Sequence, residues 1–342
     1  MSFRALLCAL ALPLAAQAAA PSLTFTPPAG APANGKHVVL LSGDEEYRSE
    51  EALPMLAKIL SQRHGFRCTV LFPLDPDGTI NPENQRSLAG SAALDTADAI
   101  VMSLRFRNWL EADMARFVAA FNRGVPIIAL RTSTHAFNIP AGGPHSQYSW
   151  NSRAPWPGGF GKHVLGETWI SHWGRHKFEA TRGVAEPAHA ADPILRGVKD
   201  VFGDSDVYEA YPPDDARVLL RGFVLKGMDP EGPLSAAVKP RARGDKGVQP
   251  VNDPAMPVAW VRELPNAGGK PNRVLCATLG AATDLADPDL RRLVVNGVLW
   301  GLGREVPASA DVEPLAPYRP SPFAFDGFRK GRTAAELGDG AR

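Results

Sequence analysis

The chain has 342 residues, 44% of them hydrophobic and 21% charged, with a formal net charge of +1. That length accommodates one large domain with additions or two modest ones. A charge so near zero leaves no electrostatic footprint for nucleic acid or anionic lipid, so neither is expected as a partner.

The N-terminal stretch "MSFRALLCALALPLAAQAAAP" has one basic residue, Arg4, then a short apolar core and small residues. Both Ala16-Gln17-Ala18 and Ala18-Ala19-Ala20 fit a signal-peptidase site. The apolar run is too short to span a bilayer comfortably. Residues 1–20 are therefore read as a signal peptide and 21–36 as a linker, with a periplasmic or secreted mature protein and no membrane span after signal removal. Beyond the leader only Cys68 and Cys276 remain, each inside an apolar run. An oxidising compartment permits a disulfide, but two buried strand residues is the simpler reading.

"HVVLLSG" (37–43) reads as a buried strand ending in a glycine turn. A helix over 51–62 follows, with Leu53, Leu56, Ile59 and Leu60 on one face. Pro54 belongs in a first turn, so that helix is expected to start at most about four residues before it. "FRCTVLF" and "DAIVMSL" are the second and third strands. A second helix is predicted with Asn108 as its cap, Glu111 three residues on and Gly124 at its end. "VPIIAL" is the fourth strand. Near the far end, "PVAWVRE" and "RVLCATLG" form two strands joined by "NAGGK", and Asp287-Pro288 opens a last helix. The region 138–255, rich in Gly, Pro and aromatics, reads as long loops and a β excursion on one sheet edge. From 303 to 342 a proline-punctuated tail wraps the surface through its phenylalanines. Apolar strands separated by amphipathic helices predict an α/β, doubly wound, mostly parallel sheet with long loop and β insertions, spanning 37–302.

Ligands of open parallel sheets bind beyond the carboxyl ends of the strands. The first strand is followed by Asp44, Glu45, Glu46, Tyr47 and Arg48, the third by Arg105, Arg107 and Asn108, and the fourth by Arg131, Ser133, Thr134 and His135. Carboxylates, guanidiniums and an imidazole suit a polar, hydroxyl-rich ligand, and no glycine-rich nucleotide loop is present. Of eight histidines, five lie between 135 and 176. In "GKHVLGETWISHWGRH", His163 and Glu167 are four apart, as are His172 and His176, a spacing that shares a face on a helix. Two histidines and a carboxylate can hold a divalent metal such as zinc, so His163, His172 and His176 are candidate ligands. Acid/base histidines and histidines bonded within a loop core compete with that reading. Trp169 and its neighbouring tryptophans suit stacking on a sugar face, or packing the loop on the sheet.

The stretches "RTSTHAF", "GGFGKHVLGETWISHWGRH", "DSDVY", "MPVAWVRE" and "CATLGAATDLADPDLRRLVVNGVLWGLG" together resemble the ThuA-like (trehalose utilisation) family. With "YRPSPFAFDGFRKG" they resemble its exported branch, over about 37 to 332. The resemblance implies a class I glutamine amidotransferase-like, flavodoxin-like fold. It does not imply amidotransferase activity, because the elbow after the fourth strand is "RTST" and carries no cysteine. Where many ThuA-like proteins have a histidine after the glycine of a "TLGH"-like segment, this chain has Gly280-Ala281, with Asp284 as the nearest polar substitute.

Two functions follow. One is an exported enzyme acting on a sugar or oxidised sugar derivative by hydrolysis, elimination or isomerisation, without a cysteine nucleophile. Asp44 or Glu46 with His135, or Glu167 with His172, are its candidate acid/base pairs. Tyr47, Arg105, Arg131, Ser133, Trp169, Asp206 and Tyr208 are candidate ligand contacts. The other is a non-catalytic carbohydrate-binding or assembly protein on the same fold. The expected partner is a small-molecule carbohydrate, and a homo-oligomer stays open. Geometrically, His135, His163, Glu167, His172 and His176 are expected to meet beside Asp44 and Arg131, with 138–176 folded over them as a lid.

Overall fold

The computed structural model describes residues 21–30, 34–244, 246–266 and 268–338. The signal-peptide reading of 1–20 lies outside the described residues. Among the described residues twelve strands run in chain order: β1 (Ser22–Phe25), β2 (His37–Gly43), β3 (Arg67–Leu71), β4 (Ala99–Leu104), β5 (Ile127–Leu130), β6 (Thr181–Ala185), β7 (Val201–Gly203), β8 (Arg217–Val224), β9 (Val238–Pro240), β10 (Val248–Pro250), β11 (Met256–Leu264) and β12 (Asn272–Ala277). The helices are α1 (Ser49–His64), α2 (Glu111–Asn122), α3 (Pro288–Gly301) and α4 (Ala334–Gly338).

Ten strands form one sheet in the order β1-β3-β2-β4-β5-β12-β11-β8-β6-β7. β3, β2, β4, β5 and β12 are parallel. Numbered by themselves along the chain, they stand in the order 2-1-3-4-5, the flavodoxin-like arrangement. β11, β8, β6 and β7 extend the sheet in antiparallel fashion from β12, the β excursion expected of the middle region. On the other edge β1, within the stretch read as linker, pairs antiparallel with β3. β9 and β10 make a separate hairpin.

The apolar runs of the parallel strands follow from burial on both faces. Along β2, Val38 and Leu40 enter one core with Leu53, Leu56 and Ile59 of α1 and Leu290, Leu293 and Val294 of α3. Val39 and Leu41 enter the other, with Met114 and Phe117 of α2 and with Phe137, Tyr148 and Phe160. The segment after β5 therefore packs an aromatic cluster under the sheet, and only part of it reaches the strand ends.

Two helix starts differ from expectation. α1 begins at Ser49, five residues before Pro54, because Arg48 takes a left-handed turn (φ 57°) and the Ser49 hydroxyl accepts from the Gly43 and Asp44 amides. Pro54 falls in the second turn, where it removes one ladder donor. α2 begins at Glu111 after Leu110, not at a capping Asn108. The Asn108 amide donates to Gln85 O and Trp109 is buried in the core, which holds the chain extended up to Leu110. Asp287 caps α3 as expected, accepting from the Asp289 and Leu290 amides. No helix among the described residues is long and apolar enough to cross a membrane.

Candidate functional site

The turn after β2 is built around its own acid. Asp44 Oδ1 accepts from the amides of Glu46 (2.7 Å) and Tyr47 (2.8 Å), and Oδ2 accepts from the Thr132 hydroxyl. These bonds leave Asp44 fully buried, so it is a turn-former and not an exposed acid. They also occupy two backbone amides of the turn ahead of α1, where an anion could otherwise bind. What the turn projects is Glu46, Tyr47 and, from its start, Glu45.

The loop after β5 answers in kind. Arg131 adopts φ 45°, a strained region for a non-glycine residue. Gly280 (φ +134°) makes room beside it, since a Cβ there would lie 2.7 Å from Leu130 Cβ. The fully buried Arg131 guanidinium donates to Asp206 O (2.6 Å), Thr278 O (2.8 Å), Asp206 Oδ1 (2.8 Å) and Tyr47 Oη (3.0 Å). It lies between the rings of Tyr208 (3.8 Å) and Tyr47 (4.6 Å). Arg131, Tyr47 and Tyr208, read from the sequence as ligand contacts, are thus an internal support. Ser133 is spent on β4, donating to Met102 O and accepting from the Leu104 amide. His135 is buried between the rings of Phe106 and Trp169. Burial, then the Arg105 and Arg131 charges, push its pKa well below the usual imidazole value, so it is neutral.

The centre of the site is Asp206, three residues beyond β7. Its Oδ1 accepts from Arg131 and from His176 Nδ1 (2.9 Å), and its Oδ2 accepts from His172 Nδ1 (2.9 Å). Burial opposes its charge, but Arg131 and then the two imidazoles outweigh that and hold the carboxyl below its ordinary range. His176 Nε2 meets Glu46 Oε1 at 3.0 Å. With a carboxylate at each nitrogen, both must carry hydrogen, so the ring is an imidazolium. Burial alone would lower its pKa, but the bonds to Asp206 and Glu46 push it up to about 9. His172 is different. Its Nδ1 faces Asp206, a contact that selects the tautomer in which a neutral ring carries its lone pair on Nε2. No partner among the described residues takes that nitrogen, and the side chain is 36% exposed beside Trp169. The two rings stand 4.4 Å apart.

His172 and His176 lie on a loop, not a helix, and it is Asp206 that pairs them. The other expected members do not join. His163 is exposed and stacks on Trp156 at 4.4 Å, which corrects its place among the metal candidates. Glu167 lies beyond Gly166 and is buried against Lys162 (2.9 Å), Arg243 (2.6 Å) and the amides of Thr168 and Tyr211. It is neutralised there and does not pair with His172. Of the tryptophans, Trp169 lies against the rings of His135 and His172, Trp150 packs on Phe106, and Trp173 is buried with its indole donating to Val251 O. The lid expected over 138–176 is instead largely the aromatic core under the sheet. Phe323 of the tail was not foreseen: its ring covers Tyr47 (5.0 Å) and His176 (5.8 Å), and Ala324 N donates to Glu46 O. Only the phenylalanine spacing of "SPFAFDGF" hinted at it. A separate cavity of about 760 Å³ lies between α1 and the tail, lined by Met55, Tyr318 and Phe328, away from the strand ends.

Donor atoms of His172, His176 and Asp206 lie within 4.8 Å of one another, and two imidazoles with a carboxylate suit a zinc-type ion in kind. The arrangement does not fit one. Both oxygens of Asp206 are engaged by Arg131, His172 and His176, and the fixed Arg131 charge faces the same carboxylate. Metal ligands must be deprotonated, and a dication would meet that guanidinium at close range. The cluster is a hydrogen-bonded network of two imidazoles and two carboxylates on a buried guanidinium.

The chain is similar to two solved structures named as ThuA-like proteins. One, from Parabacteroides merdae ATCC 43184, is 15% identical, with 80% of this chain and 92% of that chain covered and a TM-score of 0.46. The other, from Bacteroides uniformis ATCC 8492, is 16% identical, with 79% and 92% covered and a TM-score of 0.45. The mmIFT52 N-terminal domain is also similar, at 11% identity, 71% and 86% coverage and a TM-score of 0.36. No family model and no curated protein matches the chain.

Proposed function

We propose that the chain is an exported ThuA-like protein that acts on a sugar or oxidised sugar derivative by proton transfer, with His172 as its general base. The observation that carries this is the Asp206 clamp, which holds His172 through Nδ1 and leaves Nε2 of a side chain that is 36% exposed without a partner among the described residues. One buried carboxylate thus engages both imidazoles through Nδ1, but only His176 meets a second carboxylate at Nε2, which leaves His172 Nε2 as the nitrogen available for acid/base chemistry.

In an oxidised sugar, His172 Nε2 takes the proton from a carbon beside the carbonyl. The C–H electron pair forms a carbon–carbon double bond, and the carbonyl π pair moves onto oxygen to give an enediolate. Transfer of the enediol hydroxyl proton to the former carbonyl oxygen, with reprotonation by His172 at the former carbonyl carbon, completes an isomerisation, while loss of a β-oxygen substituent, protonated by His172 as it leaves, completes an elimination. The His176 imidazolium, 4.4 Å from His172 ring to ring, supplies a fixed positive charge near the developing oxyanion. Trp169 and Phe106 offer apolar faces to the ring carbons. Both cysteines are buried in strands, so no thiol takes part.

The test is a turnover screen of purified protein against keto-glycosides and the corresponding unoxidised disaccharides, with metal content measured in parallel. The proposal expects product from keto-glycosides without stoichiometric metal. Binding of sugars with no turnover of any would sink the catalytic role and leave a carbohydrate-binding protein.

A further inference from the structure

The charges at the crevice mouth are arranged unequally. The carboxylates Glu45, Glu46 and Asp206 are buried and bonded to the protein. The groups that reach solvent there are cations. Arg105, with a side chain 23% exposed, lies between the rings of Phe106 (4.5 Å) and Phe325 (5.0 Å). Among the described residues its one acceptor is Glu45 Oε2, at a long 3.5 Å, and Arg107 engages the other oxygen of that carboxylate. Stacked between two rings, the guanidinium is held in plane with most of its N–H fork unspent. Lys177, 42% exposed, stands 3.7 Å from Glu46 and over the Phe323 ring. Glu83 and Asp326 hydrogen-bond each other, which raises the Glu83 pKa, and neither pairs with Arg105 among the described residues.

We infer that the crevice takes a sugar acid, its carboxylate received by Arg105 and its ring passing over Trp169 toward His172. This rests on the sugar reading given above and adds the charge of the substrate. A planar guanidinium fork matches a carboxylate bidentately. A phosphate is disfavoured because four backbone amides of the β2–α1 turn, those of Gly43, Asp44, Glu46 and Tyr47, already donate to Asp44 and Ser49. The strap 321–328 is then part of the site. Ala324 is tied on both sides, its amide to Glu46 O and its carbonyl to Arg48, which fixes Phe325 against Arg105.

The test compares binding of gluconate, glucuronate, glucose 6-phosphate and glucose by calorimetry to the full mature chain, wild type, Arg105→Gln and Arg105→Lys. The inference expects the sugar acids to bind at least about tenfold tighter than glucose, and that preference to vanish in R105Q with the glucose affinity kept. R105K should recover only part of it, since an ammonium has no planar fork. Glucose bound as tightly as the acids, or a preference that survives R105Q, overturns the sugar-acid inference and leaves the sugar reading intact. Tightest binding of the phosphate overturns the carboxylate assignment. No binding of any of the four overturns both.

Discussion

Replacing Asp206 by asparagine keeps the shape of the clamp and removes its charge. The Arg131 guanidinium is fully buried and loses the ionic half of its partnership, while its bonds to Asp206 O, Thr278 O and Tyr47 Oη remain. Removing one partner of a buried pair costs about 3–5 kcal/mol, and the surviving bonds place this case near about 3 kcal/mol. The loss has a pH signature. The folded pKa of His176 is raised from 6.5 to about 9, so its contribution to stability is complete below 6.5 and disappears as pH rises through 9. In Asp206→Asn one of its two carboxylate partners is gone, so that contribution shrinks. The gap in unfolding free energy between wild type and variant is therefore expected to be wider at pH 6 than at pH 10. Urea unfolding of both proteins at pH 6, 7.5 and 10 measures it, and NMR titration of the His176 ring should show its pKa falling toward the ordinary imidazole value. A variant as stable as wild type at pH 6, with His176 still titrating near 9, would refute the clamp.

Two further outcomes follow. Cys68→Ser and Cys276→Ser should each keep turnover and ligand affinity within about threefold of wild type, even where a buried hydroxyl costs about 1–3 kcal/mol of stability, because burial pushes both thiols up and neither stands at a strand end. Loss of activity in a well-folded cysteine variant would restore a thiol mechanism. For the proposed export, mass spectrometry of the mature protein should find a start at Ala19 or Pro21, and an intact Met1 would contradict it.

The parallel core was legible because its runs, "HVVLLSG", "DAIVMSL" and "VPIIAL", are buried on both faces and bounded by turn residues. The extra antiparallel strands were legible only as a β-rich region, since nothing local says which edge they join. Asn108 has a capping side chain, yet its position was decided by the Gln85 carbonyl and the burial of Trp109. The site divides along the same line. Histidine crowding pointed to His172 and His176, but the helix spacing that suggested them was not the cause, and it drew in His163 and Glu167 as well. What separates the pairs is distant in sequence: Asp206 lies 30 residues beyond His176, and Arg243, which neutralises Glu167, lies 76 residues beyond it. Asp44 looked exposed at a strand end, but the amides of its own turn enclose it. Phe323 reaches the site through the tail, whose path depends on backbone bonds at Ala324 that leave no side-chain pattern.

The most direct measurement of the central claim is deuterium wash-in at the carbon beside the carbonyl of a keto-glycoside in D₂O, followed by proton NMR for wild type and His172→Gln. Glutamine keeps a polar side chain of similar reach but offers no basic nitrogen. With His172 as the base, wild type should wash in deuterium at that carbon, and the variant should do so at least about a hundredfold more slowly, with sugar affinity preserved. Exchange in His172→Gln at the wild-type rate would contradict the account and move the base elsewhere in the crevice.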